Sequence, residues 1–141
     1  MGRAQGLGWA IMKFRDLFHG WKDVREYAAG DVIFAEGEPA DVLYVILSGE
    51  VEVTLRGESL AVDAAGGMIG ETALLGSEAR SGTATARTEV KLARLDREQL
   101  QELMRSNPDF ALHVMSGLAK RLRAVDTYIG AHLGRKSRRK H

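Results

Sequence analysis

Cysteine is absent from this sequence of 141 residues. Its absence excludes a disulfide framework, a thiolate zinc site, a cysteine nucleophile and an iron–sulfur cluster. No run approaches the roughly 18 apolar residues of a membrane span. The apolar stretch at residues 7–12 is too short for the hydrophobic core of a signal peptide. We therefore expect a cytoplasmic protein without a membrane span.

The sequence also has few prolines and almost no net charge. The sequence has 2 prolines against 16 glycines, which predicts many tight turns between short elements. The formal net charge of +1 excludes a polycation that coats nucleic acid. The charge is uneven, because residues 135–141 carry five Lys/Arg and no acid, whereas the rest holds 15 Lys/Arg against 19 Asp/Glu.

The apolar pattern divides the chain into three parts. Trp9, Met12 and Leu17 contribute to an apolar helix face, and Gly20 follows, which predicts an amphipathic helix over about 8–19. From about 22 to 95, short apolar or alternating runs separated by glycine are typical of a sandwich, jelly roll or barrel. The predicted strands are 31–35, 42–47, 51–55, 60–62, 83–87 and 90–95, with a hairpin turn at residues 57–58.

Two helices are predicted to follow the strands. Asp96 and Gln99 have the spacing of a capping box for a helix over about 97–105, and a second helix begins near Pro108. Apolar residues of the second helix are spaced 3, 4, 3 and 4, as in a coiled-coil seam. This seam consists of Met115, Leu118, Leu122, Val125 and Ile129. It favours a homodimer, with packing on its own domain as the alternative.

The predicted organisation is therefore an N-terminal helical segment at 1–21, a β-domain with C-terminal helices at 22–130, and a disordered basic tail at 131–141. The basic tail allows weak, salt-dependent contact with nucleic acid or with an acidic membrane surface. No helix-turn-helix follows in the sequence, so specific DNA binding is not expected.

The stretch at residues 66–86 carries the chemistry of a binding site. Gly70 allows close backbone approach to a ligand, and residues 72–75 can form one helical turn whose N–H groups face an anion. Arg80 is a lone cation among small and apolar residues, and its planar fork suits a phosphate. Glu71 can accept hydrogen bonds from sugar hydroxyls. These residues predict a phosphosugar ligand, with a structural Glu71–Arg80 salt bridge as the alternative.

Catalytic and metal-binding patterns are weak by comparison. The four histidines are scattered, without the His-x-His pair on a strand that a metal-dependent barrel enzyme needs. They are His19, His113, His132 and His141. A haem-sensing alternative would use His113 as axial ligand, although its position is more typical of a helix surface. The spacing supports no Ser–His–acid group and no acid–base pair, so we predict no enzymatic activity and no metal.

Gly70-Glu71 followed by Arg80-Ser81-Gly82-Thr83 resembles the phosphate-binding motif of the cyclic nucleotide-binding domain family. That family includes the catabolite activator protein and the regulatory subunits of cyclic-AMP-dependent kinase. Its arginine follows the acid by nine or ten residues, and here by nine. Upstream residues also fall at the family's turn and strand positions, namely Gly30, Asp31, Gly37, Glu38, Asp41, Tyr44 and Gly49. The resemblance covers about 24–130 and implies an antiparallel β-roll or jelly roll flanked by helices.

The resemblance implies how the phosphate would be held. Arg80 would pair with an equatorial oxygen of the cyclic phosphate, and Ser81 would add a hydroxyl or backbone donor. The backbone N–H groups of Thr72 and Ala73 would cap the phosphate at the start of the helical turn.

The resemblance also implies contacts to the sugar, the base and the last helix. Glu71 would accept from the ribose 2′-hydroxyl, with the backbone of Gly70 beside it. Arg121 falls where the family carries an arginine that pairs with this acid; the alternative is a solvated helix residue. The adenine-contacting positions of the catabolite activator protein fall on Val125 and Asp126 in place of hydroxyl residues, so Val125 would cap the base by apolar contact.

We therefore expect a stand-alone regulatory sensor domain that binds cyclic AMP, favoured over cyclic GMP, and transmits binding to an effector protein through its last helix. Ser81 is compatible with either base. The alternative is a degenerate member of the same fold that binds no nucleotide and serves as a dimerisation or interaction module. A third hypothesis is a truncated transcription regulator that contacts DNA through residues 135–141.

Overall fold

A computed structural model describes residues 16–71 and 79–140 of the chain. Residues 16–18 are helical and agree with the end of the predicted N-terminal helix, whose earlier residues lie outside the described ranges. The helix ends at a turn where Gly20 has a φ of +77°. The predicted helical turn at 72–75 also lies outside the described residues.

Within the described ranges, eight strands form two antiparallel sheets of four strands each. The strands are β1 (Val24–Tyr27), β2 (Val32–Phe34), β3 (Leu43–Ser48), β4 (Val51–Leu55), β5 (Glu58–Asp63), β6 (Met68–Ile69), β7 (Thr83–Ala86) and β8 (Val90–Leu95). One sheet has the order β1-β8-β3-β6 and the other β2-β7-β4-β5. The chain passes repeatedly between the sheets, which confirms the predicted β-roll with flanking helices.

The pattern of β3 explains how the core is divided. Tyr44 and Ile46 face the cluster between the two sheets, whereas Leu43 and Val45 face a second cluster beneath the helices. A strand that is buried on both faces needs apolar residues at every position, which accounts for its continuous apolar run. The second cluster includes Phe18, so the end of the N-terminal helix packs on the domain.

Two strands and one turn differ from the sequence prediction. Strand β1 was missed because Arg25 and Glu26 interrupt its apolar pattern, and β6 because it has only two residues. The predicted turn at residues 57–58 is wrong by one position. Leu55 pairs with Glu58, so the turn consists of Arg56 and Gly57, with φ values of +52° and +80°. Two left-handed central residues are the requirement of a tight two-residue hairpin.

Helices α1 (Arg97–Ser106) and α2 (Pro108–Lys140) complete the fold. The predicted capping box is present, because Gln99 N donates to Asp96 Oδ1 at 2.8 Å and Asp96 N donates to Gln99 Oε1 at 2.9 Å. Helix α2 packs against β5 and continues through residues 131–140, which the sequence assigns to a disordered tail. That segment has no proline and is rich in Arg and Lys, which are good helix formers. Neither α1 nor α2, within the described residues, is sufficiently long and apolar to cross a membrane.

Candidate functional site

The backbone of Arg80 pairs with the connection between β2 and β3. Its N–H donates to the carbonyl of Glu38 at 2.8 Å, and its carbonyl accepts from the N–H of Gly37 at 2.9 Å. Only 4% of Arg80 is exposed, and no other polar or charged residue of the described ranges is classed as buried. The fold therefore places one arginine in an environment that normally excludes an unpaired charge.

The surroundings of the Arg80 side chain are aromatic. Its Cζ lies 4.3 Å from the centroid of the Phe34 ring and 6.0 Å from that of Tyr44, and the two rings are stacked. Such cation–π contacts favour the cation without neutralising it. Burial lowers the pKa of Arg80, while Tyr44, Asp41 and Glu38 oppose that shift. The guanidinium stays charged because the ordinary pKa of arginine lies far above neutrality.

Arg80 has donor capacity that the described residues do not use. Nη1 makes a long hydrogen bond of 3.4 Å to the carbonyl of Gly70, and Nε has no hydrogen-bond partner among the described residues. No carboxylate of the described ranges forms a salt bridge with this guanidinium, so the predicted alternative, a Glu71–Arg80 pair, is not found there. A buried arginine with an open N–H donor fits an anionic ligand group.

Gly70 meets two requirements that exclude a side chain. Its φ is +84°, a conformation that L residues rarely adopt. A Cβ atom at this position would lie 2.6 Å from Arg80 Nη1 and 3.4 Å from the carbonyl oxygen of Val42. Glycine therefore lets the chain pass directly over the guanidinium and turn Glu71 toward α2.

Arg121 on α2 makes the counterpart contact to Glu71. Its Nε donates to Glu71 Oε1 at 3.2 Å, and its Nη2 donates to Asp63 Oδ2. Burial lowers the pKa of Arg121, but the Glu71 and Asp63 carboxylates outweigh that effect and the net shift is upward. Of the two sequence alternatives for Arg121, the solvated helix residue is excluded, because only 15% of its side chain is exposed.

The other predicted site residues differ in their distance from Arg80 and Arg121 along the chain and in their exposure. Ser81 is exposed beside Arg80, and Val125 is half-buried on α2, one turn beyond Arg121. Thr72 and Ala73 lie outside the described residues. The structure thus brings together Gly70, Glu71, Arg80 and Arg121.

Two residues near the site make contacts that the sequence analysis did not predict. Asp63 is the last residue of β5 and has apolar neighbours on both sides in the sequence. The one feature that could have drawn attention to it is its position as a carboxylate directly before the turn at residues 64–67. His113 Nε2 lies 2.6 Å from the carbonyl oxygen of Gly66, so this half-buried residue joins α2 to the β5–β6 connection. His113 therefore lies on the face of α2 that meets the roll, a contact for which the sequence has no local signal.

A cavity of about 620 Å³ opens between this connection and α2. Its walls include Asp63 and Glu71 from the roll and Ser116, Lys120 and Arg121 from the helix. A carboxylate acceptor thus faces space large enough for a small ligand. No cluster of three or more His, Asp or Glu side chains suited to a metal ion occurs in the ranges 16–71 and 79–140.

Comparison with known proteins agrees with this geometry. Residues 24–107 match the family model of the cyclic nucleotide-binding domain. The chain is 33% identical over 106 residues to a CRP-like cAMP-activated global transcriptional regulator of Mycobacterium tuberculosis, a match that covers 72% of the chain and 47% of the regulator. The chain thus spans about half the length of this relative.

Two solved structures extend the comparison to the fold. The catabolite activator protein of Thermus thermophilus superposes with a TM-score of 0.65 at 32% identity, covering 84% of this chain and 58% of that one. The c-di-GMP-responsive global regulator CLP of Xanthomonas campestris gives a TM-score of 0.73 at 25% identity, covering 87% and 64% of the two chains.

Replacement of Arg121 tests whether it joins α2 to the roll. Arg121→Ala leaves two half-buried carboxylates facing each other without their cation, so we expect the free energy of unfolding to fall by about 1–3 kcal/mol. Urea denaturation followed by circular dichroism measures this change. Arg123→Ala, at an exposed position of the same helix, is the control and should change stability by less than about 0.5 kcal/mol. Equal losses in both variants would contradict a specific role for Arg121.

Proposed function

The chain belongs to the cyclic nucleotide-binding domain family, and from this premise we propose that it is a regulatory domain that binds a cyclic nucleotide. Cyclic AMP is the favoured ligand over cyclic GMP. The observation that carries the proposal is Arg80, a buried guanidinium with an open N–H donor and no carboxylate partner among the described residues. A cyclic phosphate supplies the single negative charge that this position lacks.

The phosphate would be held by residues around Arg80. A charge-assisted hydrogen bond from its guanidinium in a partly dry site contributes about 1.5–3 kcal/mol. Ser81 would add a donor from its exposed position beside Arg80. The family resemblance assigns backbone donors to Thr72 and Ala73, which together with Arg80 would surround the phosphate.

The sugar and base would lie toward α2. Glu71 would accept from the ribose 2′-hydroxyl, because Glu71 lines the cavity and its Oε1 is fixed by a hydrogen bond from Arg121. Val125, half-buried and one turn further along the helix, would cap the base by apolar contact. The roles in this proposal are those of binding, and none of these residues is assigned to catalysis.

Coupling to the helix would pass through the Glu71–Arg121 contact. A ligand shifts a conformational equilibrium only through different affinities for the two states. A ligand hydroxyl on Glu71 would favour the state in which Glu71 is correctly placed for Arg121, which is the state with α2 docked on the roll. The signal would then reach an effector protein that recognises the docked helix.

The output would also involve a second copy of the chain. Three residues of the predicted seam are exposed although large and apolar: Met115 at 52%, Leu122 at 69% and Ile129 at 45%. Burial of such residues against their equivalents in a second helix favours a homodimer.

Titration calorimetry of nucleotide-free protein tests the ligand directly. We expect cyclic AMP to bind with micromolar or lower Kd and cyclic GMP more weakly, with cyclic di-GMP included because of the likeness to CLP. Arg80→Ala should abolish binding. Arg80→Lys should weaken it at least tenfold, because lysine keeps the charge without the planar fork. Arg87→Ala, at an exposed position after β7, is the control and should bind as the wild type does.

A folded wild type that binds none of these ligands would overturn the proposal. The alternative, a degenerate member of the fold that acts as a dimerisation or interaction module, would then be favoured.

Sedimentation velocity tests the seam. Leu122→Glu places two carboxylates in the centre of the proposed interface, so we expect the wild-type dimer to become a monomer. Thr127→Glu, exposed and outside the seam, should leave the dimer intact. A monomeric wild type at concentrations of tens of micromolar would contradict the proposed homodimer.

A further inference from the structure

We infer that Asp63 is a positioning residue for sugar recognition: it occupies one edge of the Arg121 guanidinium and thereby keeps one carboxylate oxygen of Glu71 free for a ligand hydroxyl. The inference rests on the proposed function, since it concerns how the proposed ligand is held. It adds a residue that neither the sequence motif nor the family resemblance includes.

The geometry of Arg121 carries this inference. Arginine pairs with a single carboxylate most strongly through two parallel N–H···O bonds, and side-on pairing uses the adjacent donors Nε and Nη2. Here those two donors are divided. Nε donates to Glu71 Oε1 at 3.2 Å, whereas Nη2 donates to Asp63 Oδ2 and, at 3.4 Å, to the carbonyl of Met68. The two-point pair with Glu71 is therefore not formed.

Division of the guanidinium leaves Glu71 with an open acceptor. Its Oε2 receives no hydrogen bond from the residues that the structure describes. The side chains of Asp63, Glu71 and Arg121 are 27%, 24% and 15% exposed, and all three line the cavity. An acceptor in such a partly dry site has strong preference for a donor, which the 2′-hydroxyl of a ribose supplies.

Loss of the Asp63 charge would change this arrangement in one direction. Asp63→Asn keeps the size of the side chain but gives Nη2 a weaker acceptor. Arg121 would then turn toward two-point pairing with Glu71, and Nη2 would take one of the acceptor sites of the oxygen that faces the ligand. The sugar hydroxyl would be bound more weakly, while the phosphate contact of Arg80 on the other side of Gly70 would remain.

The ratio of the Kd for 2′-deoxy cyclic AMP to the Kd for cyclic AMP measures this effect. We expect a ratio of about tenfold or more in the wild type, from the value of a hydrogen bond to a charged group. The ratio should fall to about twofold or less in Asp63→Asn. Glu58→Gln removes a carboxylate from the exposed start of the same strand and should keep the wild-type ratio. Asp63→Asn that binds cyclic AMP with the wild-type ratio would overturn the inference.

A second variant tests whether Asp63 acts through Arg121. Arg121→Lys keeps the positive charge but has no fork, so two-point pairing with Glu71 is impossible. In that background, the ratio should no longer depend on whether residue 63 is Asp or Asn. A further fall on Asp63→Asn in this background would contradict positioning through Arg121.

A cycle without ligand separates this inference from the proposed function. Asp63→Asn and Glu71→Gln should each cost little unfolding free energy, because the remaining carboxylate takes the released N–H groups. The double variant should lose more than the sum of the two. The same cycle with Glu58→Gln in place of Asp63→Asn should be additive. If the wild type binds no cyclic nucleotide, the proposed function fails, and additivity of Asp63→Asn with Glu71→Gln would overturn the inference as well.

Discussion

The guanidinium of Arg121, between Glu71 and Asp63, joins helix α2 to the β-roll. Both carboxylates belong to the roll, and the cation belongs to α2, so the position of the helix depends on the positions of both acids. Desolvation of three charged groups is costly unless they satisfy one another. The docking of α2, the shape of the cavity beneath it and the orientation of Glu71 therefore all depend on the two ion pairs of Arg121.

The two arginines of the site have opposite surroundings, and this contrast gives each a different role. Arg121 has two carboxylates, whereas Arg80 lies against the Phe34 ring with its Nε unpartnered among the described residues. An aromatic face orients a guanidinium without competing for its charge. Arg80 is therefore prepared for an anion, and Arg121 for holding a helix. Gly70 separates the two by allowing the chain to pass over Arg80 and present Glu71 on the far side.

Much of this was predictable from local pattern. The apolar run of β3, the alternation of β4 and the capping box of α1 each have a short-range physical cause, and the structure agrees with them. The chemistry of residues 66–86 alone indicated Glu71 and Arg80, and the resemblance added Arg121, which lies 50 residues from Glu71 in the sequence. The contacts of Asp63 and His113 were not predicted, because their partners are 58 and 47 residues away and neither contact has a local signal. Strand β1 was missed because its charged residues lie at a sheet edge.

Hydrogen–deuterium exchange of α2, with and without cyclic AMP, tests most directly whether the Glu71–Arg121 contact connects the ligand to the helix. We expect the ligand to slow amide exchange both in the roll near Arg80 and in the turns of α2 around Arg121. In Arg121→Gln, the slowing should persist in the roll and disappear from α2. A ligand that binds the wild type and protects the roll while leaving exchange in α2 unchanged would show that the Glu71–Arg121 contact does not connect the ligand to the helix.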